Sequence, residues 1–206
     1  MQQLLYQLAD SAFPAGGFAH SAGLEALRAC GHLRGERDLA LRLEELTWQT
    51  AYAQLPFLGE AHAGEVQAAD HACDIFLSNH VANRASRAQG RALLIAAEAM
   101  LEVRVELRCG HLPVAFGAIL AARASLEAAR EVAMFAALRS AVSAAVRLGV
   151  VGPLRAQRLL HEVAPVAERA LAETVALRAA DACSVAPLVD LAQAGHDRLY
   201  TRLFQS

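Results

Sequence analysis

The stretch AAREVAMFAALRSAVSAA, residues 128–145, carries the longest run of helical periodicity in this sequence. Its apolar side chains recur every three or four residues, at Ala128, Val132, Phe135, Leu138, Val142 and Ala145. Side chains with this spacing lie along one face of an α-helix. The stretch therefore predicts a long helix that buries one face in the core of the protein.

Similar apolar rows lie on both sides of this stretch. They run from Leu39 to Ala53, from Leu94 to Val105, from Leu160 to Ala170, and from Leu188 to Leu203. The last row predicts a final helix that runs, or resumes, almost to the end of the sequence. No alternation of apolar and polar residues, the pattern of a half-buried strand, continues for more than a few residues.

Glycine and proline residues mark the boundaries between these rows. Gly149–Pro153 is expected to end the long helix and start the next one, because glycine is favoured just after helices and proline in their first turn. Pro56 and Pro187 suit first turns, and Pro165 is expected to kink or interrupt its helix. Together these signals predict an all-α fold, a single domain spanning residues 1–206 and a bundle of roughly eight to ten helices.

The composition supports a helical protein and excludes several classes of partner. Of 206 residues, 47 are Ala and 31 are Leu, and both favour helices. The chain has 19 basic and 21 acidic residues, giving a net charge of -2. This balance leaves no basic surface of the kind that binds nucleic acid or an anionic membrane, so neither is expected as a partner.

The sequence also predicts a cytoplasmic protein. It has no secretory signal and no apolar run long enough for a membrane helix. Its four cysteines are Cys30, Cys73, Cys109 and Cys183. They are widely scattered, so we expect reduced thiols and not a disulfide framework.

Several catalytic classes are excluded by the residues that the sequence lacks. All 19 basic residues are Arg, so neither a Schiff-base lysine nor a phosphate-binding lysine of the Walker type exists. No G-x-S-x-G nucleophile motif occurs. We therefore expect no catalytic residues, no cofactor and no enzymatic activity.

The tripeptide Cys-Gly-His occurs twice, at Cys30–His32 and at Cys109–His111. If the two copies met in the fold, Cys30, His32, Cys109 and His111 would supply the four ligands of a metal site. The two-to-four-residue spacing usual within such sites is absent. The alternative, which the spacing favours, is that each glycine ends a helix in the left-handed conformation and that its neighbours are incidental.

Aromatic residues are concentrated at the two ends of the sequence. Five of the eleven fall in the first eighteen or the last seven positions. In residues 196–206 the pairs Leu199/Leu203, Tyr200/Phe204 and Arg198/Arg202 are each four residues apart. As a helix this segment would present an apolar patch beside two Arg, which suits a protein partner. The alternative is that the tail folds back onto the bundle or onto the aromatic N-terminal segment, and the residues alone favour neither.

One long motif resembles a known family. Residues 4–25, LLYQLADSAFPAGGFAHSAGLE, closely resemble the opening signature of the UreF family of urease accessory proteins. Shorter blocks agree in the same order: residues 89–91, 111–117, 152–157 and 187–191, and finally 196–206. The resemblance extends from one end of the sequence to the other.

The resemblance implies a non-enzymatic accessory protein that acts in nickel insertion into apo-urease. Its implied partners are a UreD/UreH scaffold homologue, a UreG GTPase homologue, apo-urease and a second copy of itself in a homodimer. Two other functions stay open. One is direct nickel carriage through the Cys-Gly-His tripeptides and His20. The other is activation of GTP hydrolysis through an arginine such as Arg202.

The resemblance also implies which residues contact partners. At the N-terminal end they are Asp10, Ser11, Phe13, Pro14, Gly16, Gly17, His20, Ser21 and Glu25. At the C-terminal end they are His196, Leu199, Tyr200, Arg202, Leu203 and Phe204. The chain departs from many relatives at Ala19 and Ala22, where they carry a small polar and a bulky residue.

Overall fold

Residues 2–206, the part of the chain that the computed structural model describes, contain eleven α-helices, three short 3-10 turns and no strand. This confirms the predicted all-α fold. The helices are α1 (Gln2–Ala9), α2 (Leu24–Ala29), α3 (Glu36–Ala53), α4 (Leu55–His62), α5 (Val66–Phe76), α6 (His80–Leu101), α7 (Leu112–Leu120), α8 (Leu126–Arg147), α9 (Pro153–Glu162), α10 (Ala164–Glu173) and α11 (Pro187–Ala194). The 3-10 turns are Gly17–Ala19, Ala179–Asp181 and His196–Arg198.

In two pairs of consecutive helices, a single residue separates one helix from the next, and a proline follows the junction. Helices α3 and α4 are separated by Gln54 alone, with Pro56 in the first turn of α4. Helices α9 and α10 are separated by Val163 alone, with Pro165 in the first turn of α10. Proline has no N–H to donate, so the regular hydrogen bonding stops there. If each pair is counted as one interrupted helix, residues 2–206 contain nine helices, which agrees with the predicted number of eight to ten.

Helix α8, which contains the stretch quoted first, is the centre of the bundle. It contacts α1, α2, α3, α4, α7, α9 and α10. Val132, Leu138 and Val142 of the predicted row are buried, but Phe135 is 43% exposed and Met134 is buried instead. Neighbours surround most of the helix, so a single-face pattern does not describe which of its side chains are buried.

The apolar rows also misplace two helix ends. Helix α6 ends at Leu101, before Val105, and the next residue, Glu102, has a left-handed backbone. Helix α11 begins at Pro187, as predicted, but it ends at Ala194. After the 3-10 turn at 196–198 the tail is not helical, so the predicted continuation of the helix almost to the end of the sequence is wrong. Gly195 follows α11 directly, and glycine is a poor helix residue. Backbone N–H groups of the tail bond to a side chain of α2 and not to a helical turn.

Helix α7 packs against α4 on one side and α6 on the other, and a glycine marks each close approach. A Cβ atom added to Gly117 would lie 2.3 Å from the carbonyl oxygen of Leu58. One added to Gly90 would lie 2.1 Å from the carbonyl oxygen of Gly110. Backbones at these two crossings are therefore too close for any side chain. The second crossing fixes the position of the loop that carries Cys109 and His111.

None of the helices in residues 2–206 combines the length and the apolar composition needed to cross a lipid bilayer. The four cysteines are free thiols, as predicted. Cys73 and Cys109 are buried, whereas Cys30 and Cys183 are exposed.

Candidate partner interface at the paired chain ends

The C-terminal tail (residues 196–206) lies against the N-terminal segment (residues 10–25). The carbonyl oxygen of Ser206 accepts hydrogen bonds from the backbone N–H of Ser21 at 2.7 Å and from its hydroxyl at 2.9 Å. The N–H of Gln205 donates to the carbonyl of Ala19 at 2.8 Å. Nδ1 of His20 and Oγ of Ser206 are 2.7 Å apart. The structure thus shows the fold-back alternative for this part of the tail.

The carboxylate of Glu25, in the first turn of α2, anchors the tail. It accepts hydrogen bonds from the N–H of Leu203 at 2.6 Å and of Phe204 at 3.1 Å. It also accepts one from Nε2 of His196 at 2.8 Å. Both Glu25 and His196 are buried. Hydrogen bonds to a buried carboxylate are among the stronger ones in proteins, so this group holds the tail in one conformation.

Arg147, the last residue of α8, joins both ends to the central helix. Its guanidinium carbon lies 3.7 Å from the ring centroid of Phe18 and 4.3 Å from that of Phe204. The guanidinium also donates a hydrogen bond to the carbonyl oxygen of Phe18. A cation between two aromatic rings is attracted to both. This contact brings an aromatic residue from each end of the chain onto the same arginine.

Asp197 connects the start of the tail to α6. Its carboxylate receives two hydrogen bonds from Arg84, at 2.8 and 3.0 Å. His80 and Arg202 each approach it to 3.3 Å. The hydrogen bonds from Arg84 are the main reason that the pKa of Asp197 lies below its ordinary value. The tail is thus held at its first turn as well as at its end.

The predicted interface residues divide by exposure. His20, Ser21, Glu25, His196 and Phe204 are buried and hold the ends together; Phe13, Gly17 and Leu199 are half-buried; Asp10, Ser11, Pro14, Gly16, Tyr200, Arg202 and Leu203 are exposed. Tyr200 is fully exposed and Leu203 is 53% exposed. Phe18 is 67% exposed although one of its faces meets Arg147. Tyr200 and Leu203 therefore expose apolar side chains to solvent, on a tail that the buried residues hold against the N-terminal segment.

Sequence reasoning missed Arg84, Asp197 and Arg147 as residues that build this site. Arg84 and Arg147 lie on helices distant in sequence from both ends, and no local pattern links either to a partner. Asp197 lies inside the closing block of the family resemblance, next to His196. That position is the only signal by which it could have been found.

A cavity of about 470 Å³ lies beneath the N-terminal segment, between α3, α6, α7 and α8. Phe13, Phe116 and Arg139 are among its lining residues. Nε of Arg139 has no hydrogen-bond partner among the described residues. Burial lowers the pKa of Arg139, and the nearby Asp10 partly opposes that shift. The N-terminal segment therefore covers a space that core side chains do not fill.

The metal candidates of the sequence fall in two different places. Cys109 and His111 lie with Asp74, and one ligand atom from each is within 4.8 Å of the others. Within residues 2–206 this is the only such group of three, and the exposed Cys30 and His32 are not part of it. Burial raises the pKa of the Cys109 thiol and lowers the pKa of the His111 imidazole.

The buried His20 gives the paired ends a pH dependence. Burial, and then the charges of Arg84 and His196, hold its pKa below the ordinary value of 6.5. Just below pH 6.5 the unfolded chain therefore binds more protons than the folded one, and stability must fall as the pH decreases through that range. Urea denaturation between pH 7.5 and pH 5.5 should show this loss, and His20→Gln should make it smaller.

His32→Gln is the matched control, because His32 is exposed in a loop. It should leave the pH dependence as in the parent chain. His111 shifts in the same direction as His20, so some slope should remain in His20→Gln. An unchanged slope in His20→Gln would contradict the assignment.

Comparisons with known proteins agree with the resemblance. A sequence model of the UreF family matches residues 33–164. Urease accessory protein F of Arabidopsis thaliana is 34% identical, over all of this chain and 93% of its own length. Urease accessory protein F of Oryza sativa subsp. indica is 33% identical, over 97% of this chain and 83% of its own. Urease accessory protein UreF of Trichodesmium erythraeum is 29% identical, over 98% of this chain and 96% of its own.

Proposed function

Since the chain belongs to the UreF family of urease accessory proteins, we propose that it is a non-enzymatic assembly factor for the nickel centre of urease. In this role it bridges a UreD/UreH homologue and a UreG homologue on apo-urease, in the cytoplasm. The observation that carries the proposal is that the paired chain ends expose three large apolar side chains, those of Phe18, Tyr200 and Leu203.

This surface has the composition of a protein-binding site. Tyrosine and arginine are enriched among the residues that contribute most to protein–protein affinity. In the tail, Arg202 directly precedes Leu203, and Tyr200 lies three residues before it. The guanidinium of Arg202 forms an ion pair with the carboxylate of Asp197, another residue of the tail. That pairing gives no support to a role for Arg202 in the active site of a GTPase.

The support beneath the surface is built from contacts within the chain itself. Glu25, Arg147 and Asp197 each fix part of the paired ends by direct contacts. A surface that intrachain contacts hold in one conformation loses less entropy on association than a flexible tail would. The same surface is therefore suited to a specific complex and not only to transient contacts.

The proposal includes a homodimer, which the family resemblance implies. Size-exclusion chromatography with light scattering measures the mass of the protein alone and of its mixture with the UreD/UreH homologue. A mass near twice 21.9 kDa is expected for the protein alone. A larger complex that contains the scaffold homologue is expected for the mixture.

The double variant Tyr200→Ala/Leu203→Ala should lose binding to the UreD/UreH homologue. Each hot-spot truncation costs about 2 kcal/mol, so the two together should cost about 4 kcal/mol and weaken the affinity by about 1,000-fold. Calorimetry or biolayer interferometry measures the change. Because both side chains are exposed, the free energy of unfolding should stay close to that of the parent chain.

Leu154→Ala is the matched control. Leu154 is 90% exposed on α9 and takes no part in the paired ends. It should bind the scaffold homologue like the parent chain. Unchanged affinity in the double variant, or an equal loss in Leu154→Ala, would contradict the proposed surface.

A further inference from the structure

Three side chains with metal-binding atoms converge where α5 meets the loop before α7. Asp74 lies on α5, and Cys109 and His111 belong to the loop. Nε2 of His111 and Oδ1 of Asp74 are 3.1 Å apart, and the thiol sulfur completes the group within 4.8 Å. Metal bonds of about 2.0–2.3 Å at tetrahedral angles place ligand atoms about 3.5 Å apart. A small movement therefore brings all three atoms within bonding distance of one ion.

The loop is held in place by a buried carboxylate that is not itself a ligand. The side chain of Asp70 accepts hydrogen bonds from the backbone N–H groups of Cys109 at 2.7 Å, Gly110 at 3.1 Å and His111 at 3.0 Å. Its oxygens are thereby occupied. The positions of the Cys109 and His111 side chains are set by this network before any ion arrives, which lowers the cost of assembling a site.

Ser86 supplies the second contact that metal-binding histidines usually have. Its hydroxyl oxygen lies 3.2 Å from Nδ1 of His111 and accepts a hydrogen bond from the N–H of Leu112. When Nδ1 carries the proton and donates it to Ser86, the lone pair of Nε2 faces Asp74. A neutral histidine oriented in this way can bind a cation with Nε2.

The surroundings leave a route for an ion from solvent. His111 is fully buried and Cys109 nearly so, whereas about a third of the Asp74 side chain is exposed. Asn83 orients that carboxylate by donating to Oδ1 at 3.0 Å. Arg87, 4.0 Å from the same oxygen, is a partly exposed positive charge. Because exposed ion pairs contribute little energy, an ion bound by three ligands can displace it.

We propose that Asp74, Cys109 and His111 bind one divalent cation of the borderline class, such as Zn²⁺, Ni²⁺ or Co²⁺. One sulfur, one nitrogen and one carboxylate oxygen suit these ions and not Mg²⁺ or Ca²⁺, which prefer oxygen ligands only. Cys109 releases its thiol proton to solvent on binding, and the fourth position takes a water molecule. The inference uses no partner protein, so it stands or fails separately from the proposed function.

A cobalt titration of the full chain tests the site. Co²⁺ bound by a thiolate gives a charge-transfer absorption band in the near ultraviolet, and one equivalent per chain should saturate it. Cys109→Ser should abolish the band and weaken binding of Zn²⁺ and Ni²⁺, measured by calorimetry, by more than about 100-fold. Ser86→Ala should weaken it about 10–100-fold, the usual effect of removing a contact to a ligand.

Cys30→Ala, which changes the other Cys-Gly-His tripeptide, is the matched control and should keep both the band and the affinity. Thermal melts followed by circular dichroism identify any variant that fails to fold. If Cys109→Ser does not fold, Asp74→Asn at the partly exposed ligand replaces it, with at least about a tenfold loss of Zn²⁺ affinity expected.

The proposal is overturned if none of the three ions binds saturably to the parent chain. It is equally overturned if the variants bind like the parent, or if the band is lost in Cys30→Ala.

Discussion

Gly90→Ala should reduce the free energy of unfolding by about 3 kcal/mol, because its methyl group has no space at the crossing of α6 and the loop before α7. The added Cβ would lie 2.1 Å from the carbonyl oxygen of Gly110, and 2.8 Å from backbone atoms of His111 and Leu112. Backbone atoms cannot rotate away as a flexible side chain would. The loop also resists movement, since Asp70 and Ser86 hold it by hydrogen bonds. Overpacking of this kind typically costs about 1–3 kcal/mol and sometimes more.

Urea denaturation measures the effect, and Gly59→Ala in α4 is its control. Nothing lies within 4 Å of a Cβ at Gly59, so the control should be neutral or stabilise the protein by up to about 1 kcal/mol through helix propensity. Gly90 also lies inside a helix, so alanine there would stabilise it if no clash occurred. Stability of Gly90→Ala equal to or above that of the parent chain would show that the two backbones are not in close contact.

Glu25→Ala should release the C-terminal tail and reduce the free energy of unfolding by about 3 kcal/mol. The substitution removes three hydrogen bonds and leaves the ring of His196 and the N–H of Phe204 buried without their partner. Breaking a buried charged contact by removing one member costs about 3–5 kcal/mol. Detachment of the tail lets water reach the freed groups, so the lower end of that range is expected.

Hydrogen exchange gives the local measurement for this variant. The backbone amides of Leu203, Phe204 and Gln205 should exchange much faster than in the parent chain, while those of α8 change little. Glu131→Ala, at an exposed position of α8, is the control and should change neither exchange nor stability appreciably. If the amides of the tail stay protected in Glu25→Ala, the carboxylate is not what anchors it. The variant should also bind the scaffold homologue less tightly, because Tyr200 and Leu203 would lose their support.

Sequence reasoning located several helix starts because they depend on local backbone chemistry. Pro56, Pro153, Pro165 and Pro187 each lie in the first turn of a helix, where the missing N–H costs nothing. Glycines after helices likewise act through their own backbone freedom. Such signals need no knowledge of what a helix packs against.

It was less successful where burial depends on neighbours. Phe135 belongs to the clearest apolar row yet remains partly exposed, because the contacts of α8 extend around most of its circumference. The side-chain pairs four residues apart in the tail also have the spacing of a helix, although no helix forms there. There the carboxylate of Glu25, more than 170 residues earlier, takes up the backbone N–H groups that a helix would have used.

The family motif predicted which segments form the candidate site, but it did not predict how their residues contact one another. Family resemblance selected His20, Ser21, Glu25, His196 and Phe204 as contact residues, and the structure shows them buried between the two ends. Tyr200 and Leu203 remain as exposed candidates from the same prediction. Only the tertiary structure identified Arg147 and Arg84 as part of the site, since each lies on a helix whose sequence carries no signal for it.

Composition and periodicity by themselves determined that this chain is helical, and prolines marked where four of its helices begin, because those properties follow from each residue and its near neighbours. Only the tertiary structure decided that the two ends pair through Glu25 and Arg147, and that Cys109 and His111 meet Asp74 and not Cys30. Both arrangements join residues far apart in sequence, and their geometry is set by how α6, α7 and α8 pack.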